Sequence, residues 1–369
     1  MLKPHKNIAR TIALLPLATM LLMATANAQE CKHRGDLDAM YCDENKDLVA
    51  DTPKDAKKLK IPGTVVFTYT PVEDPAIYAN VFKPFTDHLA QCTGKKLVYY
   101  PVQSNAAEVE AMRSGRLHFA GFSTGPTGFA VNLAGAVPFA AKGTAQQVRG
   151  YHLLAIVKAS SPLKTLADLK GKKVAHTSPS SNSGNLAPQV LFPAEGLKPG
   201  DDYKPLMSGG HDKSVLGVNS GDYDMAAVAS DVFERMAARG TIKADDFRVL
   251  YKSPIFPTSS FAYAHDLKPE LAAKLKECFF SFRFPAEMVK EFNGDDRFFP
   301  ITYQKDWAVV RDVAEKSGTP YNKAAYDADA KRDAEAAAKK AADAAKKAAE
   351  PLAAPAAAPV VAPAAPAKP

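Results

Sequence analysis

Short runs of β-branched and aromatic residues alternate with segments of helical periodicity through the middle of the chain. The strand candidates are residues 64–69, 96–100, 117–122 and 151–157, and helical patterns occupy 77–92 and 106–113 between them. Because this alternation is typical of sheets whose strands are joined by helical crossovers, we predict an α/β fold with a largely parallel sheet.

A weak internal repeat suggests that the chain has two similar halves. Residues 112–123 align without gaps on residues 218–229, and both read as a helix end, a Ser-Gly stop, an apolar strand and a small or hydroxyl residue. We therefore predict two lobes that turn their strand ends and helix N-termini towards a shared cleft. Ser123, Thr124 and Asp231, which follow the two strands, are expected there.

The connections between the lobes define the domain organisation. Two prolines in the segment 252–263 exclude a helix there, and we expect this segment and 151–157 to form the two crossings between lobes. The predicted division is an arm at 29–60, a first lobe from 61–150 and 261–321, and a second lobe at 151–260.

Both ends of the chain differ in composition from the globular part. Residues 1–28 have a basic start, an apolar run and a small-residue cleavage site, so they are predicted to be a secretory signal peptide. Residues 322–350 are rich in Ala and Lys without Leu, Ile or Val, which predicts a solvated helix. Residues 351–369 are an Ala/Pro-rich disordered tail, for which a passive spacer is favoured over a membrane or cell-wall tether.

Export places the four cysteines in an oxidising compartment, where pairing is the default. A bridge between Cys31 and Cys42 would staple the arm, and Cys92 and Cys278 would form a second bridge if their helices are neighbours. The residues alone leave three pairings open. Since neither a C-x-x-C pattern nor clustered histidines accompany the cysteines, no metal site or cofactor is predicted.

The charge of the chain argues against nucleic acid as a partner. The formal net charge of +7 falls to +4, 44 basic against 40 acidic residues, once the predicted signal peptide is removed. This balance is mild and evenly spread, and aromatic residues do not interleave with basic ones in any patch.

A hydroxyl-rich loop at 175–188 lies between a predicted strand and a predicted helix. Ser181, Asn182 and Ser183 would add neutral donors to the free N–H groups of the helix start, which outlines an anion site without a lysine. The alternative is an ordinary helix N-cap with surplus serines.

From residue 31 to residue 306 the chain resembles the phosphonate/phosphite/phosphate-binding receptors of ABC importers. The resemblance rests on Ser181-Asn182-Ser183-Gly184 with Pro188 after it, and on the segments 208–211, 221–226 and 252–257 in the same order. It implies the two-lobed type II periplasmic binding protein fold with a ligand cleft between the lobes. It also implies a non-enzymatic periplasmic monomer that captures a phosphorus oxyanion and delivers it to an ABC permease in the inner membrane.

The resemblance also implies the residues of the site. The expected ligand contacts are Tyr69, Thr70, Phe122, Ser123, Thr124, Ser181, Asn182, Ser183, His211, Asp231 and Ser259.

Several of these residues depart from the family pattern. Asn182 replaces a threonine, Phe122 stands where some members have a tyrosine, and Ser259 replaces an aspartate. One remaining acid, Asp231, favours phosphate, phosphite or methylphosphonate over an amine-bearing phosphonate, and it would reject sulfate, which carries no proton to donate. His211 is expected to donate a bond, more strongly when protonated.

Two other functions remain open from the residues. Gly121 to Gly125 spell G-x-S-x-G, which predicts a hydrolase with Ser123 as nucleophile and Asp231 and His265 as its partners. A ligand sensor for a two-component histidine kinase would use the same fold. Related receptors that bind arsenite do so through a cysteine, and none is predicted in this cleft.

Overall fold

The structure is a computed structural model that describes residues 31–349 of the 369-residue chain. The predicted signal peptide and the predicted tail at 351–369 lie outside these residues. The strands are β1 Thr64–Tyr69, β2 Lys96–Tyr99, β3 Phe119–Phe122, β4 Ala136–Gly143, β5 Gly150–Tyr151, β6 Leu153–Lys158, β7 Val174–His176, β8 Leu206–Met207, β9 Met225–Ala229, β10 Phe247–Lys252, β11 Phe256–Pro257, β12 Ser260–Ala264 and β13 Arg297–Pro300. The helices are α1 Pro75–Val81, α2 Lys83–Thr93, α3 Asn105–Arg113, α4 Pro126–Ala134, α5 Ala187–Leu191, α6 His211–Ser220, α7 Ser230–Ala238, α8 Pro269–Ser281, α9 Ala286–Glu291, α10 Tyr303–Asp306, α11 Ala308–Lys316 and α12 Lys323–Ala349.

Two separate sheets form the cores of two lobes. The sheet of the first lobe has the order β13-β4-β12-β3-β1-β2, and that of the second lobe has the order β10-β6-β9-β7-β8. A two-stranded ribbon of β5 and β11 lies where the chain passes from one sheet to the other. The predicted two-lobed α/β fold is therefore confirmed.

The prediction of largely parallel sheets is wrong, because both sheets are mixed. Strand β1 is parallel to β2 and β3, and β7 is parallel to β8 and β9, as helical crossovers require. Strands β6 and β12, which enter a sheet directly from a crossing, are antiparallel to both of their neighbours. A strand that arrives from the other lobe has no crossover helix to impose the parallel direction.

The structure follows the predicted elements closely but divides one of them. Strand β1 occupies the predicted residues 64–69, whereas the predicted helix at 77–92 is split into α1 and α2. Pro84 causes the break, since it lacks an N–H and its ring would clash with the carbonyl of Asn80 one turn earlier. Both copies of the internal repeat have the same order of structure. A helix is followed by a glycine in the left-handed conformation, Gly115 or Gly221, and then by a strand.

Aromatic side chains fill the first lobe and fix the ends of its strands. Phe67 of β1 stacks on Phe119 of β3 with ring centroids 4.5 Å apart, and Phe261 of β12 packs edge-on against Phe279 and Phe298 at 5.7 and 4.8 Å. Such pairs stabilise by about 0.5–1.5 kcal/mol beyond the area that they bury. The strands that end at the cleft are therefore held by a rigid core.

Both disulfides are present, Cys31–Cys42 in the arm and Cys92–Cys278 between α2 and α8. The arm also contributes to the core of the first lobe, because Leu37 and Tyr41 are buried. The predicted staple is confirmed, and the condition for the second bridge is met because α2 and α8 are neighbours.

The prediction of a wholly solvated C-terminal helix is wrong for the first turns of α12. Tyr326 donates a hydrogen bond to the Ala106 carbonyl at 2.8 Å, and its ring lies 6.0 Å from that of Phe129. Asp329 is buried. The segment has no branched aliphatic residues, but tyrosine supplies the apolar area that docks α12 on α3. Within residues 31–349 no helix combines the length and apolar character needed to cross a membrane.

We expect the two disulfides to stabilise the fold unequally. The bridge Cys92–Cys278 closes a separation of 186 residues and Cys31–Cys42 one of 11. Loop-closure entropy predicts that replacing the first pair by serine costs about 5 kcal/mol of unfolding free energy and replacing the second about 3 kcal/mol. Urea unfolding of the two double-serine variants measures this difference, and an equal or reversed ranking would contradict it.

Candidate functional site

A cavity of about 1040 Å³ opens between the two lobes. The first lobe contributes Tyr69, Ser123 and Thr124, the second lobe contributes Ser181, Asn182, Ser183, His211 and Asp231, and Ser259 lies in the connection between β11 and β12. These nine predicted contacts, spread along the chain from residue 69 to residue 259, therefore meet in one place. Strand ends and helix starts supply most of them, as expected for a cleft between α/β lobes.

Two predicted contacts do not line the cavity. Phe122 is completely buried in the first lobe, and Thr70 is buried with its hydroxyl donating to Asn105 Oδ1 at 3.3 Å. Phe122 is the last residue of β3, and because neighbouring residues of a strand point to opposite faces, it lies on the buried face opposite Phe119, which packs with Phe67 and Phe279. The predicted aromatic wall is thus absent at Phe122, and Thr70 is one residue removed from the cavity.

The hydroxyl-rich loop forms a π-helical turn, Asn182–Leu186, that continues into α5. Ser181 caps this turn, because its hydroxyl accepts from Gly184 N at 3.1 Å. The N-cap alternative is therefore correct for Ser181 alone. Turns of this type are often found at functional sites, because their extra residue displaces side chains from the regular helical positions.

Several polar atoms of this loop are buried without a partner inside the described part of the chain. They are Thr177 Oγ1, Asn182 Oδ1 and Ser183 Oγ. The Tyr151 hydroxyl lies beside Ser183, and it accepts from Asn182 Nδ2 at 3.2 Å. Buried polar atoms are nearly always satisfied, so these atoms indicate a place prepared for a polar ligand or water.

A neutral histidine, His176, supports the hydroxyl-rich loop through hydrogen bonds. His176 is fully buried, with Nδ1 2.8 Å from Asn185 Oδ1 and Nε2 2.8 Å from the Tyr203 hydroxyl. Asn185 uses its own amide group to donate to the Pro179 carbonyl at 2.6 Å, so its oxygen is free to accept from His176 Nδ1. Burial lowers the pKa of His176 to about 4, which keeps the ring uncharged.

The lobes touch at this loop. A Cβ atom on Gly125 of the first lobe would collide with the Ser180 carbonyl oxygen and lie 2.9 Å from Asn182 N in the second lobe. Asn105, at the start of α3, donates from Nδ2 to Ser178 Oγ at 3.1 Å across the same junction. Only glycine permits the first approach, so the conformation is one in which the lobes are closed on the cavity.

Asn105 lines the cavity but was not predicted from the sequence. It is the first residue of α3, six residues after the end of β2, and its Oδ1 lies 3.5 Å from Ser123 Oγ. Its signal in the sequence is its position at the start of a predicted helix.

His211 is uncharged, so the stronger donor that protonation would give is not present. Its Nδ1 accepts a hydrogen bond from Ala229 N at 3.1 Å, and burial lowers its pKa to about 4. A neutral ring whose Nδ1 is an acceptor carries its proton on Nε2, so His211 still has one donor to offer.

Asp231 is an ionised carboxylate at the edge of the cavity. Burial by itself raises its pKa, but the Arg235 guanidinium, which donates from Nη1 to Oδ2 at 3.0 Å, and more distant cations lower it below the ordinary value. The group therefore acts as a hydrogen-bond acceptor.

A buried ion cluster behind Asp231 connects the lobes. Glu73 of the first lobe accepts from Arg235 Nε and Nη2 of α7 at 3.0 and 2.8 Å, and from Arg239. Arg239 also pairs with Glu291 of α9. Burial raises the pKa of Glu73, but the two guanidinium groups outweigh it and keep the carboxylate charged. Sequence reasoning missed this cluster because its members have no local motif.

The residues proposed for a hydrolase are not assembled. Ser123 Oγ faces Asn105, Asp231 is bound to Arg235, and His265 packs edge-on against Tyr41 with ring centroids 4.8 Å apart, outside the cavity. Among residues 31–349 no group of three His, Cys, Asp or Glu side chains is arranged to hold a metal ion.

Comparison with known proteins gives a consistent family. A family model described as "ABC transporter, phosphonate, periplasmic substrate-binding protein" matches residues 67–307. The phosphate-import protein PhnD of Mycolicibacterium smegmatis is 29% identical over 278 residues, 71% of this chain and 85% of the relative. The phosphonates-binding periplasmic protein of Escherichia coli is 24% identical over 203 residues, 54% of this chain and 60% of that protein.

Solved structures share the fold. The binding protein component of an ABC phosphonate transporter from Pseudomonas aeruginosa superposes with a TM-score of 0.63 at 22% identity, covering 77% of this chain and 99% of its own. PhnD1 from Prochlorococcus marinus in complex with methylphosphonate gives 0.63 at 19% identity, covering 70% and 100%.

We predict that the folded state loses stability as the pH falls from 6.5 to 4. An unfolded histidine takes up a proton near pH 6.5, whereas His176 and His211 stay neutral in the native state until about pH 4. At pH 5 each of these two histidines is expected to lower the free energy of unfolding by about 2 kcal/mol relative to pH 7.5. Urea unfolding at pH 7.5 and 5 measures the loss, and His211→Gln should reduce it by the share of one buried histidine, about 2 kcal/mol. An unchanged free energy between these pH values would refute the prediction.

Proposed function

This chain belongs to the family of periplasmic substrate-binding proteins of ABC phosphonate transporters, and we propose that it captures a small phosphorus oxyanion by closing its lobes. The bound form then delivers the ligand to a permease in the inner membrane. The observation that carries the proposal is the set of buried, unpaired polar atoms around Ser183, which border a cavity enclosed by both lobes.

Neutral donors hold the anionic oxygens in this proposal. Ser183 donates from its hydroxyl and Asn182 from Nδ2, which also donates to the Tyr151 hydroxyl, and Ser123 approaches from the first lobe. Hydrogen bonds to a charged oxygen are stronger than those between neutral groups, so a cradle without a cation can still bind tightly.

Asp231 selects for a protonated anion. Its ionised carboxylate accepts a bond from a P–OH group and repels an anion that has no proton to give, so sulfate is excluded. Phosphate, phosphite and methylphosphonate all fit this requirement. The relative named as a phosphate importer and the structure solved with methylphosphonate support two of the three.

Closure is proposed to pivot at the ribbon of β5 and β11, where Tyr151 pairs with Phe256. The first lobe then comprises 61–150 and 261–321, and the second lobe 151–260. Glu73 favours the closed form, because it neutralises two guanidinium groups that the second lobe brings to it. A ligand that binds both lobes shifts the population in the same direction.

Binding of a phosphorus oxyanion tests the proposal directly. Isothermal titration of the mature protein with phosphate, phosphite and methylphosphonate should show binding of at least one, and sulfate should not bind. Ser183→Ala should weaken that binding roughly 10- to 100-fold, which is the effect expected for the loss of one hydrogen bond to a charged group. Ser161→Ala, a serine of the second lobe outside the cavity, is the matched control and should bind as the wild type does. If no phosphorus oxyanion binds, the proposed ligand class is wrong.

The role of Glu73 in closure can be tested separately. Glu73→Gln leaves Arg235 and Arg239 without their shared carboxylate, and removing one partner of a buried ion pair costs about 3 kcal/mol. We expect a loss of ligand affinity of roughly 100-fold, by the usual relation of free energy to affinity, together with loss of the ligand-induced compaction seen by small-angle scattering. The control is Asp245→Asn, on an exposed turn of the second lobe. Unchanged affinity and compaction in Glu73→Gln would contradict closure through this carboxylate.

A further inference from the structure

A buried lysine lies behind the cavity wall. Lys142 of β4 is only 3% exposed, and its ammonium donates to the Tyr69 hydroxyl oxygen at 2.7 Å. The rings of Tyr69, Phe292 and Phe261 surround it, with centroids 4.9, 4.9 and 5.7 Å from Nζ. Among the described residues no carboxylate lies within 4.0 Å of this nitrogen. Such a placement is costly for a cation, since aromatic faces offset only part of the lost hydration.

Packing alone does not require a charge at this position. The aromatic surroundings of Lys142 would accept a methionine of similar length, and replacing a buried charge by a well-packed apolar side chain is often neutral or stabilising. The presence of a lysine at this position is therefore explained better by its hydrogen bond to the Tyr69 hydroxyl than by packing.

The direction of the hydrogen bonds follows from the chemistry of the groups. An ammonium only donates, so Tyr69 Oη must accept from Lys142, and the single Tyr69 proton must be donated elsewhere. The available acceptor is Ser259 Oγ at 3.3 Å, and both Tyr69 and Ser259 line the cavity. The hydroxyl of Ser259, having accepted, can in turn donate. The chain Lys142–Tyr69–Ser259 thus ends in one donor, the Ser259 hydroxyl, which faces the ligand space.

We propose that Lys142 is a specificity-determining, positioning residue that acts through Tyr69 to make Ser259 a donor towards an anionic ligand. It does not touch the ligand. It adds a buried positive charge behind the wall on the side of Tyr69 and Ser259, whereas Lys213 lines the cavity itself, and it balances Asp231, whose pKa it helps to lower. This inference rests on the proposed function, since it requires an anion in the cavity.

A double-mutant cycle tests the inference with methylphosphonate and inorganic phosphate as probes. Lys142→Met should weaken binding of the better probe roughly 10- to 100-fold, as expected for loss of a charge-assisted hydrogen bond, without lowering the thermal midpoint. Tyr69→Phe breaks the chain at its centre. In that background Lys142→Met should change the affinity by less than about threefold, because coupled residues are not additive.

A matched control comes from the same lobe. Lys276 lies over the Tyr263 ring with Nζ 5.1 Å from the centroid, but it does not line or support the cavity. Lys276→Met should bind both probes as the wild type does. If Lys142→Met does not fold, Lys142→Gln removes the charge while retaining an N–H donor, and it enters the same cycle.

The outcomes separate this inference from the proposed function. If the wild type binds none of phosphate, phosphite and methylphosphonate, both fall. If the wild type binds and the Lys142 variant binds equally well, or if the two losses simply add, Lys142 has only a packing role and this inference alone is overturned. A loss of binding that disappears in the Tyr69→Phe background supports it.

Discussion

The buried ion pairs of Glu73 with Arg235 and Arg239 join the two lobes behind the cavity. Glu73 belongs to the first lobe, yet its partners Arg235 and Arg239 are in the second lobe. Separation of the lobes would leave these charges without each other and expose them to water. The lobes therefore have an electrostatic reason to meet in one orientation, and that orientation places Asp231, the other partner of Arg235, at the edge of the cavity.

The cavity separates donors from acceptors. Hydroxyl and amide groups lie along the π-helical turn, while Asp231 is the ionised acceptor at the edge of the cavity. Lys213 also lines the cavity, and Lys142 and Arg235 lie behind its wall. In the proposed function this arrangement holds an anion through oriented hydrogen bonds and distinguishes its protonation state through one carboxylate.

Local patterns were sufficient for much of the fold. The bounds of strand β1 and helix α3 were predicted to within one residue, because apolar residues that recur with a period of 2 or 3.6 can be recognised in a short stretch of sequence. The serine loop was also visible, since N-capping chemistry is local. Long-range features were not visible: the docking of α12 through Tyr326 and the sequestration of Phe122 from the cavity depend on which face of an element meets another element.

The alternating elements, the family and most of the residues that line the cleft could be predicted from the sequence, because each depends on neighbouring residues or on motifs that occur in a fixed order. The cysteine pairing, the mixed direction of the strands, the neutral state of His211 and the partners of Glu73 and Lys142 became known only from the tertiary structure. Charge states and hydrogen-bond directions depend on burial and on groups distant in sequence, and both come into being only when the two lobes pack.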